Sequence, residues 1–211
     1  MTPAACRQFY AALRAANPEP RTELVYATPY QLLVAVILSA QATDRSVNAA
    51  TAGLYAVAPT AAAMVELGIA GLKRHIRTIG LHNAKATHII AASRLLLERH
   101  GGEVPAERAA LEALPGVGRK TANVVLNAAF GEPTIAVDTH IFRVANRTGL
   151  APGRTPRAVE DRLLAITPQE FRQHAHHWLI LLGRYVCKAR KPDCPHCPVR
   201  RWCGFESKVT A

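Results

Sequence analysis

Four of the five cysteines in this 211-residue chain fall near its end, as Cys187, Cys194, Cys197 and Cys203, spaced Cys-x6-Cys-x2-Cys-x5-Cys. A free thiol packs as a small hydrophobe, and cysteines used for packing would be scattered along the chain. Four thiolates in one short loop repel one another unless something positive stands between them. Two disulfides, a zinc ion or an iron–sulfur cluster would meet that need. The start Met1-Thr2-Pro3-Ala4-Ala5-Cys6 lacks the basic residues and apolar run of a secretory signal, which disfavours disulfides. Zinc sites usually pair two Cys-x2-Cys knuckles across a longer gap. Here a single knuckle lies between spacers of six and five, a spacing that favours a [4Fe–4S] cluster over zinc. Cys6 stands apart and reads as an ordinary thiol.

Upstream of that loop the pattern is helical almost throughout. Apolar residues recur at three- and four-residue spacing over 32–38, 89–97, 124–130 and 178–186. Stops are well marked at Asn17-Pro18-Glu19-Pro20, Ala58-Pro59-Thr60, Gly101-Gly102, Gly131-Glu132-Pro133 and Ala151-Pro152-Gly153. Only Thr134 to Val137 looks extended, and it is too short to found a sheet. The expected fold class is all-α, with many short helices. The longest apolar run, Leu32 to Ala40, is broken by Ser39 and falls short of membrane-spanning length. The formal net charge of +11 points to a polyanion, of which nucleic acid is the usual one. A basic surface that merely aids solubility is the plainer alternative. A membrane surface would need a basic amphipathic anchor that the sequence does not show.

The segment Leu114-Pro115-Gly116-Val117-Gly118-Arg119-Lys120-Thr121-Ala122 narrows the choice. A helix over 106–113 is expected to end at Pro115, and another to begin just after Gly118. Gly116 and Gly118 around one apolar residue allow a tight hairpin, with Val117 turned inward and backbone N–H groups outward. Those groups and the following helix N-terminus form a site for a phosphate oxygen. Arg119 and Lys120 then stand in the first turn, where the macrodipole disfavours cations, and a local rule broken at a glycine hairpin suggests a functional site. An ordinary helical corner with two solvated cations is the alternative.

The chain uses 20 arginines and only 6 lysines, yet Arg119 is followed by a lysine. Arginine is not deprotonated in proteins, whereas a neutral lysine amine is a nucleophile. An adjacent arginine, the positive helix end and partial desolvation all favour that neutral form. Eighteen residues on comes Val137-Asp138-Thr139-His140, opening another helix. Asp138 reads first as an N-cap, stabilising by about 1 kcal/mol. A carboxylate pinned there can also serve a neighbouring amine.

The hairpin, the lysine behind it, the Val-Asp-Thr-His segment and the four cysteines together resemble the endonuclease III family. These are bacterial DNA glycosylases and abasic-site lyases of the helix–hairpin–helix superfamily. The resemblance runs from Leu38-Ser39-Ala40-Gln41-Ala42-Thr43-Asp44 through His176-His177-Trp178-Leu179-Ile180 to Cys203. One departure is His82, where the family leads one to expect tyrosine. The resemblance implies two helical lobes with a DNA-binding cleft between them. One would be a six-helix bundle over 22–132; the other would join 1–21 to 133–211 and carry the cluster. It implies that Gln41 and Leu81 fill the gap left when a damaged base is flipped out of duplex DNA. It implies Lys120 and Asp138 as the catalytic pair, with Gly116, Gly118, Arg119 and His140 on the DNA. The substrates would be oxidised or ring-saturated pyrimidines such as thymine glycol, and abasic sites.

Between Cys187 and Cys194 the loop reads Lys188-Ala189-Arg190-Lys191-Pro192-Asp193. With both ends tied to metal it would hold Lys188, Arg190 and Lys191 rigidly against backbone phosphates. His174, His176 and His177 lack the one-face spacing of metal ligands and read as packing residues. A related adenine glycosylase would lack a lysine at position 120 and carry a glutamate in an early helix, where Ala35 stands. A non-enzymatic DNA-binding module with a zinc ribbon would leave Lys120 and Asp138 unexplained. The protein is expected to act as a monomer in the bacterial cytosol, on chromosomal DNA and away from membranes.

Overall fold

The computed structural model describes residues 1–208, and every regular element among them is helical. In chain order these are α1 (Pro3–Ala16), α2 (Pro29–Leu38), α3 (Asp44–Val57), α4 (Ala61–Ile76), α5 (His82–His100), α6 (Arg108–Glu112), α7 (Arg119–Phe130), α8 (Thr139–Thr148), α9 (Pro156–Ile166) and α10 (Arg172–Leu181). The starts follow from local chemistry. Thr2-Pro3, Thr28-Pro29 and Thr155-Pro156 each place a capping hydroxyl before a proline in the first turn, while Thr43 and Thr60 cap α3 and α4 by hydroxyl alone. Several ends follow as directly, because Gly101, Gly131 and Gly149 take the left-handed conformation that closes α5, α7 and α8. No single described helix is long and apolar enough to cross a membrane.

The chain divides into two compact units, Glu23–Gly131 and Met1–Thr22 with Glu132–Ala211. The first is built around α2. Residues Tyr30 to Leu38 are all buried, so this helix is apolar on every side, and α3, α5 and α7 pack against it. Leu54, Met64, Leu72, Ile76, Ile89 and Val125 complete its core. The second unit has its own core, in which Phe9 and Tyr10 of α1 meet Phe171, Trp178 and Leu179. Polar tips inside it are bonded: Tyr10 Oη lies 2.9 Å from Thr167 Oγ1, and Trp178 Nε1 donates to Asn17 O at 2.7 Å.

Two expectations are refined. The helix before the hairpin begins at Arg108, not 106, because its N-cap Glu107 is still extended (φ −116°, ψ 132°). The helix expected to run unbroken over 178–186 changes at Leu182 into a π-helical turn, Leu182–Val186. A Cβ on Gly183 would fall 2.8 Å from that of His140, so this turn lies hard against the start of α8. Cys187 N reaches back to Leu182 O at 2.7 Å, which delivers the first cysteine of the loop.

Candidate active site

The hairpin sits in the first unit between α6 and α7. Val117 is buried beneath it and its N–H closes the turn onto Leu114 O at 3.0 Å. Gly116 has φ +79°, and an added Cβ would stand 2.8 Å from that of His88, so no other residue fits there without displacement. Gly118 differs: its backbone is extended (φ −97°, ψ 177°) and space beside it is open. As the N-cap of α7 it offers no side chain, and no side-chain cap bond is made at this helix start. Arg119 stands 3.9 Å from Glu112 of α6. Lys120 is exposed, so the partial desolvation its sequence context suggested is not seen.

Gln41 and Leu81 occupy two turns of the same unit. Both are exposed, Leu81 by 59%, and both have left-handed backbones, φ 56° and φ 59°. They are the two non-glycine residues with positive φ among those described, a conformation that costs about 1–2 kcal/mol at each. The turns are neighbours, since a Cβ on Gly80 would lie 3.9 Å from Gln41 O.

The second unit carries the remaining residues. Asp138 caps α8, its Oδ1 accepting from His140 N at 2.9 Å and Ile141 N at 2.8 Å. Oδ2 takes no part in that cap. The four cysteines Cys187, Cys194, Cys197 and Cys203 are free thiols that line one small pocket together with Arg147, Leu182 and Val186. Burial pushes the Cys197 thiol up, and the other three cysteines push it further, the mutual repulsion that a positive centre would relieve. The loop that carries Lys188, Arg190 and Lys191 leaves all three exposed.

Two arginines of α8 were not singled out from the sequence, and they hold this loop. Arg143 donates from Nε to Cys187 O at 3.0 Å and from Nη2 to Gly183 O at 2.7 Å. Arg147 donates to Lys188 O at 2.7 Å and Ala189 O at 2.9 Å, and its Nη1 lies 3.6 Å from Cys187 Sγ. The helix that begins at Asp138 therefore ends by gripping the cysteine loop. Their four-residue spacing on one face was the available signal. His177 is buried, and burial foremost, with His174 beside it, lowers its pKa to about 4. A neutral, packed imidazole agrees with the packing reading of that histidine group.

Residues 34–169 match the family described as HhH-GPD superfamily base excision DNA repair protein. The chain is 64% identical to endonuclease III of Escherichia coli (strain K12) over 197 residues, 93% of each chain. It belongs to the endonuclease III family. Endonuclease III of Haemophilus influenzae is 60% identical over the same shares of both chains. A solved structure of a trapped endonuclease III–DNA covalent intermediate, 41% identical, matches with a TM-score of 0.90 and covers 97% of this chain and 96% of its own. The matched superfamily segment takes in Gln41, Leu81, the hairpin, Lys120, Asp138 and His140, and stops before the four cysteines. In this chain the cysteine loop therefore lies outside the matched segment, and Arg143 and Arg147 of α8 fasten it to that segment.

Proposed function

We propose that this protein excises oxidised or ring-saturated pyrimidines, such as thymine glycol, from duplex DNA and then cleaves the strand at the abasic site. The observation that carries this reading is Lys120, an exposed amine in the first turn of α7, one residue behind a helix N-terminus with no capping side chain. A helix start of this kind suits a phosphate oxygen, which would bring a sugar of the same strand within reach of the amine. A 41% identical endonuclease III has been trapped as a covalent intermediate with DNA, which accords with a nucleophile of this kind.

In this mechanism Lys120 Nζ bonds to C1′ as the glycosidic bond breaks, its electron pair leaving with the base. Asp138 takes the amine proton or steadies positive charge on the sugar. The sugar ring opens to a Schiff base, which draws electrons from C2′. Loss of a C2′ proton then expels the 3′ phosphate by β-elimination. Gln41 and Leu81 fill the space the base vacates, and Gly116, Gly118, Arg119 and His140 contact the DNA around it. Cys187, Cys194, Cys197 and Cys203 would hold a [4Fe–4S] cluster, which fits four free thiols around one cavity in a loop tied down by two arginines. When bound, the cluster supplies the positive iron centres that neutralise the thiolates. The site of action is the bacterial chromosome.

The deciding experiment is incubation with duplex DNA bearing one thymine glycol. A strand break at the lesion is expected, and undamaged duplex should remain intact. Intact lesion strands at enzyme excess would refute the reading. A separate result is expected from the cysteine loop. Lys191→Ala should weaken binding to damaged and undamaged duplex alike and reduce the salt slope by about one unit, with the visible absorption of the cluster unchanged. Loss confined to lesion DNA would remove Lys191 from the phosphate contacts.

A further inference from the structure

Lys85 is a lysine the proposed mechanism does not use, and it is buried to 4% exposure. It lies in the first turn of α5, its own N–H bonded to Leu81 O at 3.1 Å. Its Nζ donates to Leu38 O at 2.8 Å and to Ala40 O at 2.5 Å. Those carbonyls belong to the last turn of α2 and the turn that follows, the negative end of a helix dipole. Desolvation lowers the pKa of the amine, so its surroundings resist the charge that the two carbonyls and the helix end favour. A residue placed at such cost in a well-packed unit calls for a role.

Its position supplies one. Gln41 follows directly on Ala40, and Leu81 is the N-cap of the helix that bears Lys85. The two left-handed non-glycine residues of the described chain thus flank the Lys85 contacts: Gln41 follows the Ala40 carbonyl that its side chain holds, and Leu81 caps the helix that bears it. Strained backbone persists only where its surroundings over-determine it. We propose that Lys85 is a positioning residue that holds the Gln41 and Leu81 turns together in the conformation that enters the opened base stack. The proposal rests on the gap-filling reading of Gln41 and Leu81. Without the ammonium the α2 end loses its tie, Gln41 can relax from φ 56°, and the two tips no longer insert as one.

The test is a mutant cycle on base extrusion. A duplex with 2-aminopurine beside thymine glycol is mixed with wild type, Lys85→Met, Gln41→Ala/Leu81→Ala, and the combined triple variant. The fluorescence rise on unstacking is followed, and cleavage of a ready-made abasic site is measured in parallel. Lys85→Met should slow the fluorescence rise about as much as the double alanine variant, and abasic-site cleavage should fall much less. The triple variant should be no slower than the double, because Lys85 acts through residues already removed. Lys85→Gln keeps a donor for one carbonyl and should lie between wild type and Lys85→Met. It also takes the place of Lys85→Met in the cycle if that variant does not fold. Additive losses in the triple variant, or equal losses on both substrates, would show that Lys85 only supports the fold. A wild-type rise in Lys85→Met with a slow double alanine variant overturns the proposal alone. A wild-type rise in the double alanine variant overturns the gap-filling reading, and the proposal with it.

Discussion

Lys120→Gln should form no borohydride-trapped adduct above background with thymine-glycol duplex, while wild type accumulates a stable covalent protein–DNA product. The reasoning starts from the amine. A Schiff base needs a primary or secondary amine, and an amide nitrogen, whose electron pair is delocalised, does not form one. Glutamine keeps approximate size and polarity, so an exposed position in the first turn of α7 tolerates it. The hairpin should survive, because it depends on Gly116, Val117 and the 3.0 Å bond to Leu114 O rather than on the lysine side chain. Damaged-DNA binding should therefore persist, weakened by one lost charge of the formal +11 but not abolished. Strand cleavage and trapping should fall together, since both pass through the same bond to C1′. Trapping at the wild-type rate in Lys120→Gln would move the nucleophile to another amine, such as the N-terminus.

Much of this arrangement was legible in the sequence because it depends on residues with narrow physical meaning. Gly116 is one: its positive φ and its contact with His88 each demand glycine, so Pro-Gly-Val-Gly reads as a turn wherever it stands. Asp138 before Thr139 is another, a carboxylate at the one position where two backbone N–H groups converge on it. Less was legible where the determinant is a contact between distant segments. Lys85 is buried against carbonyls 47 and 45 positions away, and no local pattern distinguishes it from a solvated lysine on a helix face. Arg143 and Arg147 reach 40 to 44 residues along the chain to carbonyls, groups every residue owns, so their targets have no sequence signature. The π-turn at Leu182–Val186 was missed for the same reason. Apolar periodicity continues through it, and the close approach of Gly183 to His140 decides the register.

Asp138→Asn should lose most turnover while keeping its helix start, and Asp138→Ala should lose turnover and fray that start as well. The two roles of this side chain fall on different oxygens. Oδ1 accepts both capping bonds, from His140 N and Ile141 N, and an asparagine carbonyl can accept the same pair. Asparagine caps about as well as aspartate, so the melting temperature should change little, whereas alanine should cost about 1 kcal/mol. The second oxygen, Oδ2, lies outside the cap and would be replaced by an amide nitrogen, which carries no charge and takes up no proton. If that oxygen receives the Lys120 proton or faces the sugar's developing positive charge, turnover on thymine-glycol duplex should fall by roughly 10²- to 10⁴-fold in Asp138→Asn. Because α8 also holds the cysteine loop through Arg143 and Arg147, cluster absorption provides an internal control. It should be retained in Asp138→Asn, and partial loss in Asp138→Ala would report the frayed helix start. An Asp138→Asn protein that turns over at the wild-type rate would leave Asp138 as a cap alone and require another base for the Lys120 amine.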